Sequence, residues 1–327
     1  MNQRNRALLV AAVGLALLAL PASGSSYWIY TLTIVGIYAT ALIGLNVLVG
    51  YAGQMSFATT TFMAAGGYGA AVLTTKLQWN PWLACAAGVA FAGVLAYAIG
   101  FPLLRLRGHY LAMATFALAI CTISLVSGAQ NVTGGTSGLP GVPPLTIGSV
   151  NFSTPLPAYY FALAVCALAL FAASGLVDSR TGRAWRALAK REDVATSVGI
   201  DVRRAKVAAF VVSAVFAAIS GAMYVEFTSF VSPDLYDSSM VVQIFIMLFI
   251  GGVGTPYGPL LGTALVVVSP VVLGRFAADQ SIVFEFALLV ILVLRPQGIL
   301  GRAGGTRPLS AILPHALRRR RESGGAR

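Results

Sequence analysis

The chain has 327 residues, of which 57% are hydrophobic and only 10% charged, and its formal net charge is +12. Soluble domains carry about a quarter charged residues, so this composition excludes a soluble globular protein. The cationic residues cluster beside apolar segments, as membrane topology requires, so we expect a lipid bilayer as the environment and no nucleic-acid partner. The cysteines and histidines have no metal-ligand spacing, so no metal or catalytic site is predicted.

Apolar segments of the length needed to cross a bilayer, roughly 20 residues, recur along the chain. They predict an all-α integral membrane protein, a polytopic helical bundle with about ten transmembrane or re-entrant helices. The first segment is either a cleaved leader or an uncleaved helix, and 239–274 is either two spans or a re-entrant pair. The predicted spans are 7–22, 27–50, 54–75, 81–104, 109–128, 157–177, 207–228, 239–252, 256–274 and 281–295.

The distribution of positive charge predicts the orientation. Alternating the spans from a cytoplasmic start leaves only Lys76 and Arg275, of 22 Lys and Arg residues, on the outer side. Because such residues are retained in the cytoplasm, we expect a multi-pass protein of the bacterial inner (cytoplasmic) membrane with both termini cytoplasmic. The predicted regions are a transmembrane domain (1–300) with an external loop (127–156) and a cytoplasmic loop (178–206), and a basic, disordered tail (301–327).

Two glycine-rich segments, Gly50–Ser56 and Gly251–Pro259, interrupt apolar spans. Non-helical backbone persists inside a bilayer only against protein or a wet cavity, and broken helices present partial charges that suit a zwitterion. Close packing of helices through small residues is the other explanation, and the sequence leaves both open. Carboxylates within spans indicate functional sites by default, but Glu226 lies near a predicted outer end, within reach of water.

The cytoplasmic loop contains a short predicted helix over 182–199. Ala184, Leu188, Ala195 and Val198 follow helical spacing and form one small apolar face. A helix of this kind can lie on lipid or enter a groove of a soluble partner. The sequence contains no Gly-x-x-x-x-Gly-Lys-Ser/Thr phosphate loop, so we expect any ATP hydrolysis to occur on a partner.

The segment from Asp193-Val194-Ala195 to Gly199 resembles the ATPase-coupling loop of ABC importer permeases, with Asp and Val replacing the usual Glu and Ala. Further motifs of one family occur in the right order. They are Asn46 through Gly53-Gln54-Met55-Ser56 to Gly67-Tyr68, Leu104 to Ala112, Thr133 to Leu139, Gly251 to Pro259 and Leu294 to Gly298. From about residue 30 to residue 300, the chain resembles the high-affinity branched-chain amino acid permeases of the LivM type.

The resemblance implies a pseudo-twofold pair with a second homologous permease, two cytoplasmic ABC ATPase subunits, and an external solute-binding protein. It implies an ATP-driven importer for branched-chain or other hydrophobic amino acids, in which ATP and Mg are bound by the ATPases. This chain would be a non-catalytic transport subunit with no cofactor of its own. Urea, short amides and aromatic acids are alternative substrates, and an ion-coupled secondary transporter is the rival class.

Two sets of site residues are predicted. The coupling set lies on the cytoplasmic loop, where Trp185 and Leu188 are expected to dock in the ATPase. It comprises Arg183, Trp185, Arg186, Leu188, Glu192, Asp193, Ala195 and Gly199. The substrate-path set consists of polar and glycine residues in or beside the spans, namely Asn46, Gln54, Ser56, Thr115, Thr133, Gly134 and Gly135.

Overall fold

The computed structural model of the chain describes residues 26–106, 108–148, 150–197, 199–273 and 299. Helices dominate this part of the chain. They are α1 (Ser26–Asn46), continued by a π turn (Val47–Tyr51), α2 (Thr59–Thr75), α3 (Pro81–Leu103), α4 (His109–Gly128), α5 (Gln130–Thr133), α6 (Pro155–Asp178), α7 (Arg180–Lys190), α8 (Glu192–Ser197), α9 (Val202–Thr228), α10 (Ser238–Gly251) and α11 (Gly258–Leu273).

Six stretches of the described residues are long and apolar enough to cross a membrane. They are α1 with its π turn, α3, α4, α6, α9, and α10 with the 3-10 turn Pro233–Tyr236 before it. The helices α2 and α11 are shorter. Each predicted span between 27 and 274 therefore coincides with a helix, which confirms the all-α membrane fold. The predicted spans 7–22 and 281–295 and the tail 301–327 lie outside the described residues.

The centre of the bundle is α9, which packs against α1, α2 and α3. Glycines allow the closest of these crossings. A Cβ atom at Gly66 of α2 would overlap the backbone of Ala218, and one at Gly221 of α9 would overlap the backbone of Met63. Lipid tails are as apolar as the side chains, so close packing of this kind, rather than hydrophobic burial, holds membrane helices together.

Short polar side chains begin several helices by accepting a hydrogen bond from an otherwise unpaired backbone N–H, as N-caps do. Asn80, followed by Pro81, accepts from Trp82 N at the start of α3. Asp201 accepts from Arg204 N at the start of α9. The chain turns at these points because each cap residue has a non-helical backbone while the residues after it are helical.

The connections between helices form two groups, one at each end of the bundle. At one end, Lys76 Nζ donates to Asn131 O, and Trp82 Nε1 donates to Thr146 O at 3.0 Å. At the other end, Arg203 lies 3.5 Å from the centre of the Phe101 ring. Each of these contacts joins segments that the alternating topology assigns to the same side, so the fold is consistent with the predicted order of crossings.

The segment predicted as an external loop folds against the end of α9. Its strands are β1 (Leu139–Pro140), β2 (Thr146–Ile147) and β3 (Val150–Asn151), and β1 pairs antiparallel with β4 (Phe230–Val231), which follows α9. A one-turn 3-10 helix, Gly135–Ser137, precedes β1. The glycine-rich part of the loop is therefore a structured cap on this end of the bundle.

Candidate functional site: a chain break and the helix pair against it

The two glycine-rich segments predicted from the sequence lie against each other. A Cβ atom at Gly50, in the π turn that ends α1, would lie 2.5 Å from Gly254 N. Past the π turn the chain leaves the helix, and Gly53 has φ +67°, a conformation that favours glycine. Close backbone approach explains Gly50, and the positive φ after the end of the helix explains Gly53.

Asn46 connects the two segments through both ends of its side-chain amide. Its Nδ2 donates to Thr255 O at 2.8 Å, and its Oδ1 accepts from Gly254 N at 2.8 Å. The side chain is buried, and these bonds satisfy backbone groups that the interrupted helices leave unpaired. Asn46 therefore fixes the position of the α10–α11 connection relative to the end of α1.

The helix α7 lies directly on the first break. A Cβ atom at Gly53 would approach the Cα of Ala189 to 3.0 Å, which is a tight contact between the break and the helix. This contact joins the non-helical segment after α1 to the extramembrane helix that the sequence predicts in the cytoplasmic loop. A displacement of α7 would therefore be transmitted to the broken helix through backbone contact.

The apolar face of α7 packs against the helical bundle of the same chain. Trp185 is 0% exposed, and its Nε1 donates to Ala205 O, at the start of α9, at 2.9 Å. Leu188 is also buried. Neither side chain is accessible to a partner in this structure, because both fill the space between α7 and the bundle. In this structure the two side chains anchor α7 to the bundle, and their docking in an ATPase stays a prediction.

The next helix, α8, is held by an ion pair. Glu192 Oε1 lies 2.5 Å from Nζ of Lys206, whose side chain is 3% exposed. Ala195 of α8 is buried as well. Removing one member of a buried ion pair leaves the other charge uncompensated, which costs about 3–5 kcal/mol. This pair therefore ties α8 to the N-terminal part of α9.

The predicted coupling residues thus divide into an inner and an outer group. Arg183, Arg186, Asp193 and Gly199 are exposed. The inner group, described above, consists of Trp185, Leu188, Glu192 and Ala195. The outer group is the more accessible one, although the Glu192 side chain is still 25% exposed, so the accessible coupling residues are mainly polar and charged.

Three predicted path residues lie close to the first break. Ser56 Oγ accepts from Ala58 N at 3.3 Å, and Gln54 Nε2 donates to Ala52 O at 3.3 Å. Thr115 of α4 accepts from Phe57 N at 3.0 Å. All three side chains are buried. The structure therefore places all three beside the break that follows α1, and their observed bonds are to the chain's own backbone.

The other three predicted path residues lie at the opposite end of the bundle. Thr133 Oγ1 donates to Ala129 O at 2.9 Å and accepts from Gly135 N at 3.3 Å. A Cβ atom at Gly134 would overlap Gly138 O. These contacts make the turn compact. It lies apart from the predicted residues at the first break, Asn46, Gln54, Ser56 and Thr115, which we call the Asn46 group. The seven predicted residues therefore form two clusters and not one.

Two charged groups of structural importance were not among the predicted site residues. Lys206 is one, since its sequence position only placed it in a basic cluster. Glu226 is the other. It is 3% exposed, although the sequence placed it near an outer end within reach of water, and Cys85 Sγ lies 3.5 Å from its Oε1. Its Oε2 has no hydrogen-bond partner and lies beside a cavity of about 10 Å³, room for roughly one water molecule. This cavity is too small for an amino acid.

Interrupted helices at membrane depth are a feature found in membrane transporters. The chain belongs to the family described as "Branched-chain amino acid transport system / permease component", whose family model matches residues 27–294. This match confirms the resemblance stated from the sequence.

Individual relatives agree with the family assignment. The chain is 28% identical over 291 residues to the high-affinity branched-chain amino acid transport system permease protein LivM of Escherichia coli K12, covering 82% of this chain and 68% of the relative. It is 29% identical over 287 residues to LivH, a permease protein of the same named system in that organism, covering 81% and 91%. The Salmonella typhimurium LivM is 29% identical over 317 residues, covering 90% and 73%. No solved structure gives a significant match.

Proposed function

We propose that the chain is the transmembrane permease subunit of an ATP-driven importer for branched-chain or other hydrophobic amino acids. Separate cytoplasmic ATPase subunits, carrying ATP and Mg, would drive alternating access. A second homologous permease would complete the membrane domain, since the chain is similar to both LivM and LivH. An external solute-binding protein would deliver the substrate.

One contact carries this proposal: the approach of Ala189 in α7 to Gly53 in the break after α1. A transporter driven from outside the membrane needs an extramembrane element in contact with a part of the bundle that can rearrange. The helix α7 meets this requirement because it rests on non-helical backbone, which can change conformation more readily than the middle of a helix. Asn46 extends the connection to the second break.

Broken helices also suit the proposed substrate. The free ends of interrupted helices carry partial charges that favour the two ends of a zwitterion. An apolar side chain needs few polar contacts, in keeping with the few polar residues within the spans. We therefore propose that the path runs past the Asn46 group, with the Thr133–Gly135 turn at its outer end.

The test is purification of the tagged chain in mild detergent, followed by mass spectrometry and reconstitution. We expect a P-loop ATPase and a second permease to co-purify, and uptake of radiolabelled leucine into liposomes to require ATP and the binding protein. A chain that purifies alone and transports leucine without ATP, driven by an ion gradient, would be a secondary transporter. That result would overturn the proposal.

A further inference from the structure

A buried carboxylate in the last turn of α9 takes no part in the proposed transport path. Glu226 is 3% exposed. Cys85 Sγ lies 3.5 Å from one of its oxygens, Oε1, and the backbone of Leu145 lies close to the same carboxyl group. The other oxygen, Oε2, is buried and has no hydrogen-bond partner among the described residues. This oxygen can therefore accept hydrogen bonds from a ligand.

The cavity beside Glu226 is enclosed by α1, the external loop, α6 and α9. Its volume of about 10 Å³ matches one water-sized group. Most of the lining residues are apolar, and three of them are Phe152, Phe161 and Phe227. Thr33 also lines the cavity, and its Oγ1 donates to Ile29 O at 2.8 Å, so the lone pairs of this hydroxyl group can still accept. The cavity thus combines hydrogen-bond acceptors with aromatic rings.

This combination fits a small cation that carries N–H donors. A buried carboxylate is costly unless it is paired, and no described Lys, Arg or His side chain forms an ion pair with Glu226. A primary ammonium group is about the size of a water molecule, has three N–H donors and is attracted to the faces of aromatic rings. Within the described ranges, Glu226 and Cys85 belong to no group of three or more metal-ligating side chains, so the cavity suits an ammonium group better than a metal ion.

We propose that Glu226 and the cavity beside it bind a primary ammonium group, which enters from the end of the bundle that carries the external loop. This site goes beyond the proposed function and does not depend on it. Because the cavity holds only a water-sized group, the remaining atoms of the ligand stay outside. The headgroup of phosphatidylethanolamine meets this requirement, since its ammonium group ends a short flexible arm. A free amino acid carries the same group, so the experiment includes both sources.

The test is lipid binding to the full chain in detergent, measured by native mass spectrometry. The lipids share their acyl chains, and the headgroup nitrogen gains methyl groups from phosphatidylethanolamine through its monomethyl and dimethyl forms to phosphatidylcholine. Each methyl group replaces an N–H donor and enlarges the headgroup. We expect phosphatidylethanolamine to bind roughly tenfold more tightly than phosphatidylcholine, the factor that corresponds to loss of a hydrogen bond to a charged group.

Two variants and one control separate the site from the rest of the protein. Glu226→Gln keeps the size of the side chain and removes its charge, so the preference for phosphatidylethanolamine should disappear. Ala158→Val adds methyl groups to the cavity wall and keeps Glu226, and it should also abolish the preference. Asp234→Asn is the matched control, because Asp234 is an exposed carboxylate at the same end of the bundle, and it should retain the preference. Size-exclusion chromatography checks that each variant is folded.

Thermal unfolding with methylammonium or leucine in place of lipid identifies the source of the ammonium group. Stabilisation that is lost in Glu226→Gln, without a lipid preference, would support the site with a soluble solute as its ligand. A lipid preference without such stabilisation would support the site with a phospholipid as its ligand.

Two results would overturn the proposal. One is equal binding of phosphatidylethanolamine and phosphatidylcholine by the unaltered chain, together with no stabilisation by methylammonium or leucine; this comparison needs no variant. The other is a lipid preference, or a stabilisation by the soluble ammonium compounds, that is unchanged in Glu226→Gln. The carboxyl group would then be buried for its contacts with the chain alone.

Discussion

Asn46, at the end of α1, satisfies two adjacent backbone groups of the α10–α11 connection with one buried amide. The bonds to Gly254 N and Thr255 O are both 2.8 Å long. An amide is well suited to this position because it offers a donor and an acceptor at once. Its energetic importance arises from the breaks themselves, since an intact helix would pair these backbone groups internally.

Replacing Asn46 with Leu should therefore destabilise the protein. The change removes two hydrogen bonds to backbone, and we expect a loss of about 1–3 kcal/mol in the free energy of unfolding. Thermal unfolding in detergent, followed by size-exclusion chromatography, measures the effect. Asn131→Leu is the matched control because Asn131 is exposed. Equal unfolding temperatures for the two variants would show that the Asn46 bonds contribute nothing.

At the scale of helices, glycine determines how closely α2 and α9 cross. Gly66 of α2 faces the Ala218 backbone of α9, and Gly221 of α9 faces the Met63 backbone of α2. Each helix therefore supplies one of the two glycines at the crossing. Gly69 of α2 and Gly88 of α3 meet in the same way. The bundle is thus assembled through backbone-to-backbone contacts, as expected where the surrounding solvent is lipid.

Gly66→Ala or Gly221→Ala should force these helices apart. Overpacking of a tight contact costs about 1–3 kcal/mol, and each variant should unfold at a lower temperature than the unaltered chain. Gly175→Ala in α6 is the control, since a Cβ atom there meets no atom within 4 Å. The same substitution at Gly175 should be neutral or slightly stabilising, because Ala is the better helix former. Indistinguishable behaviour at the three glycines would refute this account of the crossing.

The helices could be predicted from the sequence directly, whereas the contacts of a site residue depend on the fold. A transmembrane span can be recognised in a sequence by its length and apolar composition, so the sequence predicts each described helix that crosses the bundle. The direction in which a side chain points within a short helix depends on its packing partners. Trp185 and Leu188 illustrate this: the sequence indicated an apolar face on α7 but not that the chain's own bundle would cover it.

The role of Lys206 is also visible only in the folded structure. In the sequence it is one cation among eight between Arg180 and Lys206. In the fold it is the buried partner of Glu192. The glycine segments were the opposite case: both were recognised from the sequence, and only their contact, through Gly50 and Gly254, required the structure.

At the scale of the whole molecule, the connections divide between two ends, and labelling can establish which end faces the cytoplasm. In a chain without its three native cysteines, we expect Thr146→Cys to react with a membrane-impermeant maleimide in spheroplasts. We expect Thr196→Cys to react only after the membrane is permeabilised. Both residues are exposed, so access to the reagent depends on sidedness alone. The reverse pattern would require the opposite orientation.

The burial of Trp185 has a spectroscopic consequence. The chain has four tryptophans, and the other three, Trp28, Trp79 and Trp82, lie at the opposite end of the bundle. In a chain carrying Phe at those three positions, the tryptophan fluorescence would come from Trp185 alone, whose indole is buried between α7 and the start of α9. Any movement of α7 relative to the bundle would then appear as a change in emission wavelength, without any attached dye.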